Sequence, residues 1–151
     1  MTPFNEAMRM LAREPNALFV GQGVSFGGVA THADFEGIPE EQKVELPVME
    51  DMQLGICTGL ALQGFLPISV YPRMDFLMLA MSQLVLHLDR LPKMSCDQFH
   101  PKVIIRTRIG GKKPLDAGPQ HTGDFTEALK SMLTSVVVFK VTVPDRILPT
   151  Y

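Results

Sequence analysis

Short β-prone runs alternate with helical patterning along almost the whole chain, and this restricts the possible folds more than any other feature. The runs are ALFV at 17–20, KVEL at 43–46, LPISVY at 66–71, KVIIRT at 102–107 and VVVFKV at 136–141. Between or beside them, helices are expected at about 3–13, 51–63, 76–91 and 124–134, the first opened by Thr2-Pro3 as N-cap and first helical residue. Strands that alternate with helices at this spacing predict an α/β, doubly wound, mainly parallel sheet with helices on both faces. Ligands of such sheets sit beyond the carboxyl ends of the strands, where Glu50 and the loop at 108–122 both lie.

A chain of 151 residues is expected to form one domain spanning 1–151, with 46% hydrophobic and 20% charged residues giving it a substantial core. The formal net charge of −2 argues against general affinity for nucleic acid or anionic membranes. No uncharged apolar run reaches the roughly 18 residues of a membrane span. Two cysteines, Cys57 and Cys96, read as reduced thiols of a cytoplasmic protein, and MTPFNEAMRM lacks the apolar core of a signal peptide.

Glu50 stands at the mouth of the glycine-dotted helix expected at 51–63. An acid in a first helical turn faces unpaired N–H groups and the positive end of the helix dipole, so capping is its simplest role. The stretch Gly21-Gln22-Gly23-Val24-Ser25-Phe26-Gly27-Gly28 suggests two chemistries. As a dinucleotide fingerprint it fails, because the third glycine falls on Phe26. As a G-x-S-x-G nucleophile elbow it would pair Ser25 with a later histidine such as His121, but a flexible loop is the preferred reading. Gly55 and Gly59 on the helix imply either close approach of another backbone or tight packing on the sheet. The run at 76–91, opened by Asp75 as a cap, is apolar on every side and implies a subunit interface, with His87 packed in it. The loop at 108–122, rich in Gly, Pro and Lys, has the length of a functional segment.

Taken in order, Phe26-Gly27-Gly28, Pro47-Val48-Met49-Glu50, Gly64-Phe65-Leu66-Pro67-Ile68, Asp75-Phe76 through Gln83, Lys93-Met94-Ser95, Val103-Ile104-Ile105-Arg106 and Gln120-His121-Thr122 form a near-gapless series from about Leu18 to Val143. In that order and spacing the chain resembles the pyrimidine-binding domain of thiamine-diphosphate enzymes. It is most similar to the beta subunits of 2-oxo-acid dehydrogenases of the pyruvate and branched-chain type.

The resemblance implies a transketolase-like pyrimidine-binding domain and a cofactor, thiamine diphosphate, shared with a partner. It implies that Glu50 hydrogen-bonds a ring nitrogen of the aminopyrimidine and favours the tautomer that deprotonates the thiazolium carbon. Phe76 matches the aromatic on which the pyrimidine stacks, Met49 is placed against the cofactor beside Glu50, and His121 matches a histidine near the reacting centre. The family pattern departs in three places. No acid occurs at Gly21-Gln22-Gly23, the loop before His121 is about two residues longer and carries Lys112-Lys113, and the G-D-G motif with paired asparagines is missing. The expectation is therefore that an alpha-type subunit holds the diphosphate and magnesium, and that the family's C-terminal domain lies outside this chain. Expected associations are that subunit, self-association as a two-fold dimer or heterotetramer, and a lipoyl-bearing acyltransferase. Two rival readings remain, a non-catalytic assembly module of the same fold and a small serine hydrolase using Ser25 and His121.

Overall fold

The structure, a computed structural model, describes residues 2–27 and 31–151; Gly28, which closes the glycine-rich stretch, lies outside them. The first helix, α1 (Pro3–Leu11), begins as the sequence predicts: Thr2 Oγ1 accepts the N–H of Asn5 at 3.1 Å, and Pro3 takes the first helical position. Its inner face buries Ala7, Met8 and Leu11.

Among the described residues four strands follow: β1 (Ala17–Gly21), β2 (Lys43–Glu45), β3 (Leu66–Val70) and β4 (Ile104–Arg106). They form one sheet in the order β2-β1-β3-β4, with every pair parallel. The register sets Phe19 beside Lys43 and Ile68, and Val70 beside Arg106. Alternation along the strands sends side chains to two cores. Phe19, Ile68 and Val70 pack with Met8, Phe35 and Ile147 on one face, while Val20 packs with Leu54, Tyr71, Leu84 and Leu129 on the other. Both faces are thus covered by helices, as the strand–helix alternation requires, and the fold is the doubly wound α/β class.

The second face is made by α2 (Glu50–Leu62), α3 (Met74–Leu77) and the helical stretch after it, with α5 (Thr126–Met132) further on. The expected single helix at 76–91 is instead a succession. After α3 come a 3₁₀ turn at Met78–Ala80 and a π-helix at Ser82–Leu88, and then α4 (Leu91–Met94). The wider π turn, closed by Asp89 N–H to Leu84 carbonyl at 3.0 Å, turns Leu84 and Leu88 inward and leaves Leu86 52% exposed. Asp75 does not cap this stretch. Arg73 takes the cap position without a side-chain bond, and the Asp75 carboxylate accepts the N–H of Gly123 at 3.1 and 3.2 Å.

The expected fifth strand does not form. Residues 136–141 run beside β4 without a ladder, anchored at their start by Asp89, which accepts N–H bonds from Thr134, Ser135 and Val136 at 2.9, 2.7 and 2.9 Å. A cavity of about 770 Å³ occupies the space between β4 and this segment, and a short helix, α6 (Ile147–Thr150), closes one end of it.

Candidate functional site

Strand order reverses between β1 and β3, and the crevice of a doubly wound sheet opens there, beyond the carboxyl ends. The two strands come so close at that point that a Cβ on Gly21 would stand 2.3 Å from the Val70 carbonyl oxygen, so only glycine fits. Gln53, fully buried on α2, fills the gap below it. Its Nε2 donates to Ser69 Oγ and to the Val70 carbonyl, both at 3.0 Å.

Glu50 is the first residue of α2 and only 6% exposed. Its carboxylate makes no hydrogen bond to the N–H groups of its own helix among the described residues. It accepts from Gln22 Nε2 at 3.4 Å, and its backbone carbonyl accepts from the Tyr71 hydroxyl at 3.3 Å. The capping role is therefore not the one the geometry gives it. Burial raises the Tyr71 phenol above its ordinary value, so this hydroxyl stays a donor across the physiological range. Met49 and Val48, just before α2, are half or more exposed and form an apolar lip beside the acid.

The loop at 21–27 is shaped by a second acid. Glu45, the last residue of β2, accepts the N–H groups of Gly23, Val24 and Ser25 at 2.6, 2.8 and 2.8 Å. That carboxylate fills the anion-binding nest that successive N–H groups make, so the loop has no donors left there for a phosphate. Among the described residues Phe26 and Gly27, which follow Ser25, are not helical, the next described helical turn begins at His32, and no hydrogen bond joins Ser25 to His121. The strand–turn–helix of a nucleophile elbow is absent from the described part of this loop.

A second group lies past β3 and β4. Phe76 on α3 and His121 meet edge to face, with centroids 5.4 Å apart and planes at 81°. His121 ends a 3₁₀ turn at Pro119–His121, and the loop that carries it folds back on itself: a Cβ on Gly110 would stand 1.8 Å from the His121 carbonyl oxygen. Asp75 fastens the far end of the loop through Gly123. The structure thus brings Phe76 to His121, and Glu50 to Gln22 and Tyr71, with no hydrogen bond between the two groups. Among the described residues no group of three His, Cys, Asp or Glu side chains could hold a metal ion, and no helix is long and apolar enough to cross a membrane.

Gln22, Glu45 and Tyr71 were not legible as site residues. Each acts on a residue at least 20 positions away, and local pattern gives no sign of such partners. A hint lay in the position of Glu45 and Tyr71 at strand ends, where a side chain is free to turn into the crevice.

No family model matches the chain. A curated relative is "Pyruvate dehydrogenase E1 component subunit beta" of Mycoplasma genitalium, 27% identical over 145 residues, which cover 93% of this chain and 43% of that protein. The chain spans less than half the length of this relative, and the likeness is a distant one, at the level of family resemblance.

Proposed function

We propose that this chain supplies the pyrimidine-binding half of a thiamine-diphosphate site in a beta-type subunit of a 2-oxo-acid dehydrogenase. The observation that carries the reading is Glu50, an acid buried at the first position of a helix at the reversal point of the sheet, facing Gln22 instead of its own helix N–H groups. The residues fit the pyrimidine half of the cofactor. Glu50 would hold a proton at a ring nitrogen, Met49 would give apolar contact beside it, and the half-buried Phe76 ring would offer a stacking face. The loop donors of 23–25 are not open to a diphosphate, since Glu45 occupies them. When bound, thiamine diphosphate supplies a nucleophilic carbon for decarboxylating a 2-oxo acid. Diphosphate and magnesium would be held by an alpha-type subunit, and a lipoyl-bearing acyltransferase would accept the acyl group near His121. In this reading residues 1–151 act as the pyrimidine-binding domain, catalysis needs the partner, and the setting is cytoplasmic.

The test uses the complex assembled with an alpha-type subunit. Glu50→Gln should keep cofactor binding within a modest factor and slow exchange of the thiazolium proton by orders of magnitude. Unchanged exchange would sink the assignment. Normal exchange with lower thermal stability would favour a structural acid. The rival assembly module draws support from exposed apolar residues on α2, Met52, Ile56 and Leu62, and in that reading too Glu50→Gln leaves exchange unchanged.

A further inference from the structure

Three arginines gather beyond the carboxyl ends of β3 and β4, with more positive charge than the carboxylate beside them matches. Arg106, the last residue of β4, is 2% exposed, and Arg108 follows two residues later. Both guanidinium groups donate to the same carboxylate, that of Asp34, also 2% exposed. Arg73, just past β3, lies near enough for its charge to act on Arg108. Burial pushes Arg108 below the usual guanidinium range, the charges of Arg106 and Arg73 push the same way, and Asp34 opposes them. Two cations on one carboxylate, with the charge of Arg73 acting on Arg108 besides, leave a surplus of positive charge.

The donors are unmatched as well. Arg106 Nε and Nη1, Arg108 Nε, Arg73 Nε and Thr107 Oγ1 are buried without a hydrogen-bond partner among the described residues. Buried charges are ordinarily paired and hydrogen-bonded, because an unmet donor costs its full desolvation. Aromatic faces offset part of that cost: the Arg106 guanidinium carbon lies 4.9 Å from the Phe4 ring centre and 5.5 Å from that of Phe35, and that of Arg108 lies 5.2 Å from Phe4. Rings attract the charge but do not satisfy the in-plane N–H groups. The cavity beside β4 reaches this cluster, with Arg106, Thr107 and Arg108 in its wall together with Phe4, Thr150 and Tyr151. Its size is that of a small-molecule pocket.

We propose that this end of the cavity binds the oxyanion group, carboxylate or phosphate, of a small molecule with a short apolar body. The oxygens accept from the unmet N–H groups of Arg106 and Arg108, whose planar forks match such groups in a way that a single ammonium does not. The Tyr151 hydroxyl, which stands against Arg106, borders the same oxyanion, and the apolar body lies along Phe4 and the Tyr151 ring. None of Glu50, Phe76 and His121 takes part, so the site stands or falls separately from the thiamine reading.

The 151-residue chain can be titrated with inorganic phosphate and, separately, with butyrate, at constant ionic strength against chloride. Binding is followed by the Nε–H signals of the arginines in ¹H–¹⁵N spectra and by calorimetry. One of the two anions should give saturable shifts at Arg106 and Arg108; the tighter of them identifies a phosphorylated or a carboxylate ligand. Arg108→Gln, at a half-buried position, should weaken that binding by at least about tenfold with an unchanged circular dichroism spectrum, as expected for loss of a charged hydrogen-bond partner. Arg13→Gln, which removes an exposed arginine outside the cluster, should leave it unaltered. No saturable shift with either anion, or equal affinity in the Arg108→Gln variant, overturns the proposal.

Discussion

The side-chain amide of Gln22 donates to Oε1 of Glu50 at 3.4 Å, across the crevice between the end of β1 and the start of α2. A neutral partner leaves the acid without a like charge at its open side. Two carboxylates at this separation would instead hold a proton between them more tightly than either holds one alone.

Gln22→Glu should therefore make the fold pH-sensitive in a defined direction. A pair whose proton is bound more tightly in the folded chain keeps its stability at acidic pH and loses it as pH rises. Urea denaturation at a series of pH values should show the variant close to wild type in acid and weaker near neutrality. A gap between the two proteins that stays constant with pH would show that Gln22 and Glu50 do not meet in solution.

Gly110→Ala tests whether the loop carrying His121 is held by close backbone packing. The added methyl would stand 1.8 Å from the His121 carbonyl oxygen, backbone that has little freedom to yield. Overpacking of this kind costs about 1–3 kcal/mol, and here it falls on the loop at 108–122. Thermal unfolding should shift down, and limited proteolysis within the loop should quicken. Wild-type protection of the loop would mean that Gly110 and His121 are farther apart than the structure places them.

How far the sequence reached is clearest at the strands. Runs at 17–20, 43–46, 66–71 and 102–107 all hold parallel strands; burial marks ALFV and LPISV by their own residues, while KVE is a half-buried strand at the sheet edge. VVVFKV did not, although its composition is the most β-prone of all. Being extended is local, but being a strand needs a partner, and the partner edge of β4 is separated from these residues by the cavity. The same limit applies at the site. Glu50 could be singled out because its place at a helix start is written locally. Gln22, Glu45 and Tyr71 could not, since their roles arise from contacts between distant segments. Asp75 was misread for that reason: its sequence position suits a helix cap, while its actual partner, Gly123, is 48 residues on.

Asp89 is the clip that holds the segment at 134–141, and it gives a prediction in pH. Burial alone would raise its carboxyl, but bonds from the N–H groups of Val136, Ser135 and Thr134 and from the Thr134 hydroxyl outweigh it, and the group lies below its ordinary value. A depressed folded value contributes stability above the unfolded value of about 3.9, and this is lost as pH falls through the folded one. Asp89→Ala should cost about 1–3 kcal/mol at neutral pH, the range for leaving such donors unpaired. The difference from wild type should narrow when denaturation is repeated at a pH below the unfolded carboxyl value of about 3.9. An equal difference at both pH values would remove the carboxylate from this account.

The last prediction concerns association. Apart from its own helix backbone and sequence neighbours, no described atom lies within 4 Å of where a Cβ on Gly59 would stand, and Gly55 meets only the Gln83 side chain at an ordinary 3.5 Å. The close backbone approach that two helical glycines suggest is therefore not made among the described residues of this chain. Met52, Ile56 and Leu62 are exposed on the same helix, as are Leu79 and Leu86 on the stretch that follows α3. A second copy covering these residues would account for both the apolar surface and the glycines, most simply through a two-fold axis. In the single chain a side chain at 59 meets no obstacle, and glycine in a helix interior costs about 1 kcal/mol relative to good helix formers. Gly59→Leu should thus leave thermal stability level or raised when compared at dilutions where the wild type has dissociated, while light scattering at higher concentration shows the dimer lost. This opposite movement separates an interface from a core position, where the same change would unfold the chain. A wild-type protein that is a monodisperse monomer over the micromolar range would show that this face meets no second copy.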